Sequence, residues 1–313
     1  MKILVTGGGG FIASHVVDAL VDRGDDVVVV DDLSTGDLGN LNPEARFFEL
    51  DIRSPAVAEL IRAERPQAIS HHAAQMSVSR SVADPVFDAG VNVMGSLNVA
   101  LAAIEAGSRV VFSSTGGALY GDAEVIPTPE TAPAWPVSPY GISKLSFEHY
   151  LFGFHRTRGL SYTALRYANV YGPRQNPHGE AGVVAIFCEG MLGKRAFKIN
   201  GSGTDTRDYI HVDDVVRANL LALDSTVCDH FNVGTGRLTD TNTIYRLLAE
   251  RLGKPLDVEH GPDRQGDLKA SALDSAKISR ELGWKPEVSL EEGIARTVDW
   301  FVAHERSQAG TKR

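Results

Sequence analysis

The sequence predicts an α/β protein: a doubly wound parallel sheet of the Rossmann type, followed by a smaller C-terminal α/β domain. Three observations predict it. An apolar strand near the N-terminus runs straight into four glycines and then a helical pattern. The next strand is apolar throughout and closes on two aspartates. Strand-like and helix-like segments then alternate to about residue 167, which calls for a parallel sheet with crossover helices.

Each element follows from its pattern. Ile3 to Val5 is a short apolar run that stops at Gly7-Gly8-Gly9-Gly10. From Phe11, apolar residues recur at helical spacing through Val16 and Leu20 to Gly24. Val27 to Val30 is continuously apolar, as befits a parallel strand buried on both faces. Strands are predicted over 46–50, 68–72, 110–114 and 162–167, and helices over 55–64, 85–106 and 140–157. Beyond Asn169 the pattern loosens into a loop over 173–182, rich in Pro, Gly, His and Asn. Asp213-Asp214 opens a helix, 241–252 forms another that stops at Gly253, and Ser289-Leu290-Glu291-Glu292 is a capping box for the last. The expected division is a first domain over 1–168, to which 208–236 returns, and a second over 169–207 and 237–313.

Composition narrows the partners. A net charge of −9 on 313 residues repels phosphate backbones and anionic lipid, so nucleic acid and membrane surfaces are excluded as partners. Apolar runs are shorter than the roughly 20 residues a bilayer span needs. The two cysteines, Cys188 and Cys228, make neither a disulfide framework nor a metal cluster. No metal is expected, and a reducing, cytoplasmic setting is.

The glycine cluster reads as Gly7-x-x-Gly10-x-x-Ala13 or as Gly8-x-Gly10-x-x-Ala13. Either lets a backbone turn approach a pyrophosphate at a helix N-terminus. It follows a strand, opens a helix, and is followed about 20 residues on by an acidic strand end, as a dinucleotide site requires. Asp31 is placed to accept from the adenosine ribose hydroxyls, with Asp32 as the competing candidate. A carboxylate there favours NAD over its 2′-phosphorylated form.

Tyr140-Gly141-Ile142-Ser143-Lys144 starts a predicted helix, so Tyr140 and Lys144 share one face. A lysine ammonium and a cationic nicotinamide would lower the tyrosine pKa from its usual value near 10, making it a base for a substrate hydroxyl. Ser113-Ser114-Thr115 ends an apolar strand at the sheet edge where ligands bind, and a hydroxyl there could hydrogen-bond the reacting oxygen.

Taken together, Thr6–Ala13, Asp31, Asp51-Ile52, Ser113–Gly121 and Tyr140–Lys144 resemble the extended short-chain dehydrogenase/reductase family. Four further motifs extend the likeness over nearly the whole chain, to Leu282-Gly283-Trp284. They are Leu165–Arg174, Arg207–Asp214, Phe231–Gly236 and Arg264-Gln265-Gly266-Asp267-Leu268. The chain is similar in particular to the NAD-dependent nucleotide-sugar epimerases. The resemblance implies 4-epimerisation of UDP-hexoses through a transient 4-keto sugar, with NAD kept bound.

It also implies roles. Tyr140 would be the base, Lys144 its ribose-binding partner, and Thr115 the catalytic hydroxyl, with Ser114 as the alternative. Gly7, Gly10, Phe11, Ile12, Asp51, Ile52, Ala73, Ala74, Asn92, Ser113 and Ala168 would contact the cofactor. Asn169, Arg207 and Arg264 would hold the diphosphate, and Val183 and Asp267 would join the substrate end with the loop around His178. Ser271, or a neighbour at Ala270 or Ala272, would gate N-acetylated sugars, its small size leaving room for UDP-GlcNAc. Gly116 and Gly117 stand where related 4,6-dehydratases carry an acid pair, so dehydration is disfavoured. A homodimer built through helices 85–106 and 140–157 is implied. The alternatives are another nucleotide-sugar enzyme of the family (a uronate epimerase, decarboxylase or reductase) or a non-catalytic NAD sensor.

Overall fold

Seven parallel strands carry the predicted alternation: β1 (Lys2–Thr6), β2 (Asp26–Asp31), β3 (Arg46–Glu49), β4 (Ala68–His71), β5 (Arg109–Thr115), β6 (Tyr162–Tyr167) and, far along the chain, β11 (Asp229–Val233). This computed structural model describes residues 1–177, 182–193, 196–262 and 268–311. The sheet order is β3-β2-β1-β4-β5-β6-β11, so the winding reverses between β1 and β4. A crevice opens at the C-terminal ends of the strands at such a reversal, and ligands bind there.

Alternation of side chains along each strand builds two cores. Ile3, Val5, Val27 and Val29 face α1 (Phe11–Asp22), which supplies Val16 and Leu20, and α8 (Val212–Asp224), which supplies Val215 and Ala222. Leu4, Val28, Val30 and Ile69 face the other way. There they meet Ile61 of α2 (Pro55–Glu64), Val99 and Ala103 of α5 (Ser96–Ala106), and Phe147 and Leu151 of α6 (Pro139–Arg158). A strand with an apolar residue at every position can satisfy both layers at once.

The predicted helix over 85–106 is three pieces in one run. It comprises α4 (Pro85–Ala89), a π-helical stretch at Gly90–Gly95, and α5. A short α3 (Val78–Ala83) precedes it. A Cβ on Gly95 would come within 2.8 Å of Ile52, so that glycine permits the close approach to the Asp51-Ile52 turn. By length and composition alone the run could cross a membrane, which the count of consecutive apolar residues did not reveal. In the fold, 44% of that window is buried, and α5 packs against α2 and α6.

After β6 the chain leaves the sheet. Strand β7 (Asn169–Tyr171) pairs in parallel with β10 (Tyr209–His211), β8 (Ile199–Asn200) with β13 (His260–Gly261), and β9 (Thr206–Arg207) lies between β12 (Thr239–Asp240) and β14 (Ala270–Ser271). Helices α7 (Val183–Met191), α9 (Thr241–Leu252) and α11 (Leu290–Thr311) enclose a third core that includes Tyr171, Phe187, Tyr209, Leu248 and Val298. The return to the sheet begins with α8, which packs on α1; β10 stays with β7. Helix α10 (Ala276–Leu282) packs beside β11. At α11 the Ser289 hydroxyl accepts from Glu292 N, but the Glu292 carboxylate turns to Arg296, leaving the capping box half made.

Candidate active site

A cavity of about 1340 Å³ runs from the glycine turn to the third core. The glycine turn forms one end. Gly7 has φ +75°, and a Cβ on it would lie 2.7 Å from Ala73 N, so no other residue fits without movement. Gly10 N donates to Gly7 O at 2.9 Å and caps α1. Gly7, Gly10, Phe11, Ile12 and Ala13 line the cavity. A Cβ on Gly8 would instead lie 2.5 Å from a methyl of Val29. The geometry therefore selects the Gly7-x-x-Gly10-x-x-Ala13 register. A glycine cradle at the first turn of a helix suits a pyrophosphate.

Asp31 is buried at the end of β2 and lines the cavity. Its carboxylate accepts from Gly9 N at 2.9 Å and Leu33 N at 2.8 Å. Burial pushes its pKa up, while those two donors oppose the shift. Asp32, exposed, also lines the cavity and accepts from Ser34 N and Oγ. Asp51 and Ile52 also line the cavity, and the Arg53 guanidinium holds the Asp51 carboxyl below its usual range. Arg53 and Arg80 flank the Phe87 ring, 5.4 and 4.1 Å from its centroid. Ala73, Ala74 and Ala168 complete this part of the wall. Asn92 does not reach the cavity. It is 2% exposed, and its amide is occupied by Gln75 N and O and by Asp88. Its influence on the wall is exerted through Gln75.

The chemical groups meet in the middle. Ser138 caps α6 by accepting from Gly141 N, and Pro139 sits in the first turn. A Cβ on Gly141 would stand 2.5 Å from Ala118 O, so this glycine lets α6 settle onto the turn after β5. That contact brings Tyr140 toward Thr115, whose hydroxyl favours the ionised form of the phenol. Lys144 Nζ donates to Ser113 O at 2.8 Å and lies 5.9 Å from the Tyr140 ring centroid. The alternative hydroxyl, Ser114, donates to Glu148 at 2.5 Å. Glu148 is also held by Arg166, 2.6 Å away and equally buried. Ser113, Thr115, Tyr140 and Lys144 all line the cavity.

Electrostatics differ from the expected pattern in one respect. Burial pushes the Tyr140 phenol up to about 12, Asp88 adds to the rise, and only the Thr115 hydroxyl opposes it. Burial pulls Lys144 down to about 8 against the opposing pull of Asp88 and Glu148. Lys144 alone therefore does not activate the tyrosine. A further positive charge beside the phenol is needed, and the cofactor ring is the group the sequence places there.

At the far end, Asn169, Val183 and Arg207 line the cavity as expected, joined by Gln175, Lys198 and Tyr209, which the sequence did not flag. Gln175 is 8% exposed and its Oε1 has no partner among the described residues. Arg264, Asp267 and His178 lie outside the described residues. Ser271 stands outside the large cavity, in a small void shared with Gly117, Ala168, Asn169, Asp208 and Leu273. Ala272 beside it is 1% exposed. A Cβ on Gly116 would meet Leu273 at 2.3 Å, so no acid fits there without repacking. Among the described residues, no group of acidic, His or Cys side chains could hold a metal.

Comparison with known proteins agrees with this geometry. The profile of the NAD dependent epimerase/dehydratase family matches residues 3–234. A UDP-glucose 4-epimerase from Mycolicibacterium smegmatis is 46% identical over 96% of this chain and 98% of its own. A crystal structure of UDP-glucose 4-epimerase with UDP-glucose from Thermotoga maritima superposes with TM-score 0.95 at 51% identity, covering 97% of this chain and all of that one. The Thermus thermophilus UDP-glucose 4-epimerase complex with NAD superposes with TM-score 0.91 at 45% identity, covering 96% and 99%. A glycine cradle at the sheet's switch point, a Tyr–Lys pair beside it and likeness along the full chain converge: this chain belongs to the NAD-dependent epimerase/dehydratase family.

Proposed function

We propose that this protein interconverts UDP-hexoses at C4, UDP-glucose with UDP-galactose, using a resident NAD. One observation carries the reading: Tyr140, with Lys144 beside its ring, lines the same cavity as Thr115 and the Gly7–Gly10 cradle. Gly7, Gly10, Asp31, Ala73 and Lys144 would hold the dinucleotide. When bound, NAD supplies a hydride acceptor and donor for C4 of the sugar. Tyr140 takes the proton of the 4-hydroxyl and later returns it. Thr115 offers its one hydroxyl proton to the reacting oxygen, and Lys144 adds its positive charge. Asn169 and Arg207, with Arg264, anchor the diphosphate, a forked guanidinium matching phosphate oxygens. Anchoring at the diphosphate leaves the 4-keto sugar free to turn its opposite face toward the hydride donor.

Two copies pair in this reading. The run 85–106 exposes Val86 and Met94, and α6 exposes Tyr150 and Phe152. A second copy of the same surface would cover these side chains. Both cysteines are free, in keeping with a reducing cytoplasm.

The test is an NMR assay of purified protein with UDP-glucose or UDP-galactose and no added cofactor. Interconversion without net change in nicotinamide absorbance is expected. Net consumption of reduced nucleotide, or no turnover of either sugar, would sink the reading.

A further inference from the structure

One anion lies sealed beneath the catalytic helix and has no part in the scheme above. Asp88, on α4, is fully buried. Its carboxylate accepts from Ser143 Oγ, on α6 between Tyr140 and Lys144. It also accepts from Gln75 Nε2 at 2.8 Å and Asn92 Nδ2 at 3.0 Å. Asn92 grips the backbone of Gln75 through both N and O, and Gln75 lines the cavity. Asp88 thus joins the cavity wall, the long helix and the catalytic helix. Its three donors are all neutral, whereas a fully buried carboxylate is normally matched by a cation. The buried cation beside that contact is Lys144, which follows Ser143 on α6 one helical turn beyond Tyr140.

We propose that Asp88 is a positioning residue of the 4-epimerisation: it is the counter-charge that keeps Lys144 cationic, and it sets the pH range over which Tyr140 exchanges its proton. The proposal rests on the function proposed above. Asp88 raises both the Lys144 ammonium and the Tyr140 phenol. The other groups facing Lys144 do not replace it. Glu148 on α6 acts in the same direction, but Arg166 of β6 pairs with it. His71 and His72, at the end of β4, are pushed down to about 3 by burial and by Lys144, and so stay neutral. Thr115 on β5 offers only a hydroxyl.

The test compares wild-type and Asp88→Asn enzyme, both loaded with NAD. Losing the anion makes phenol and ammonium easier to deprotonate, so both limbs of the kcat–pH profile should move to lower pH by about one pH unit. Asp88→Glu should restore them. A second readout needs no turnover: tyrosinate absorbance, taken as the difference from Tyr140→Phe in each background, should shift the same way. If the wild type epimerises nothing, the proposed function fails while this titration still judges Asp88. Limbs and tyrosinate midpoint that stay in place, with only rate or melting temperature lowered, would overturn the proposal. Asp88→Ser repeats the measurement if the amide disturbs folding.

Discussion

At the scale of single residues, Tyr140 is held protonated by burial until a cation stands beside it. Replacing it with Phe should lower kcat by roughly a hundred- to ten-thousand-fold. The nucleotide-sugar Kd should change little, since anchoring is assigned to the diphosphate; a loss of binding instead of rate would contradict this role. His71 and His72 make a second prediction. Each has a folded pKa of about 3 against 6.5 when unfolded. The unfolded chain therefore binds more protons between those values. Stability should be complete above pH 6.5 and fall by ~1.4 kcal/mol per pH unit per histidine as pH drops toward 3. His71 bridges Thr6 and Ser96 at 2.7 and 2.9 Å. Urea titrations of wild type and His71→Asn should show the variant less stable at neutral pH and its acid slope reduced by one proton; equal slopes would refute the assignment. The roles of Tyr140 and Lys144 were legible from their spacing. The neutrality of His71 was not, because it depends on enclosure by Phe147 of α6, some 70 residues away.

At the scale of elements, the catalytic arrangement depends on how closely α6 meets the turn after β5. Gly141 permits the contact, its absent Cβ leaving room for Ala118 O. Gly141→Ala should cost ~1–3 kcal/mol through overpacking, and should lower kcat by parting Tyr140 from Thr115. Thermal melting together with kinetics checks this; full activity with an unchanged melting temperature would show that the contact is dispensable. Element positions were well legible, since 3.6-residue and continuous apolar patterns persist in one stretch of chain. The interior of the 85–106 run was not. Its π-helical segment answers packing against Ile52, a contact invisible in local periodicity.

At the scale of the whole molecule, the exposed apolar side chains of the 85–106 run and α6 bear on assembly. Val86 is 80% exposed and Phe152 56%. Val86→Glu combined with Phe152→Glu should convert a dimer to monomers in analytical ultracentrifugation, with the fold retained by circular dichroism. A variant that sediments like the wild type would place the interface elsewhere. The two cores of the sheet and the third core beyond β6 meet at the cavity, so the site takes residues from segments far apart in the chain, Gly7 and Tyr209 among them.

The sequence by itself determined the strand–glycine–helix start, the order of elements through Tyr167 and the Tyr140–Lys144 pairing, because each depends on residues adjacent along the chain. Only the tertiary structure decided which glycine register faces the cavity, that Ser114 serves Glu148, that Asn92 is taken up by Gln75 and Asp88, and that Ser271 shares a small void with Asn169. Those choices depend on which atoms from distant segments come within a few ångströms of one another, and on the burial that then sets their charge.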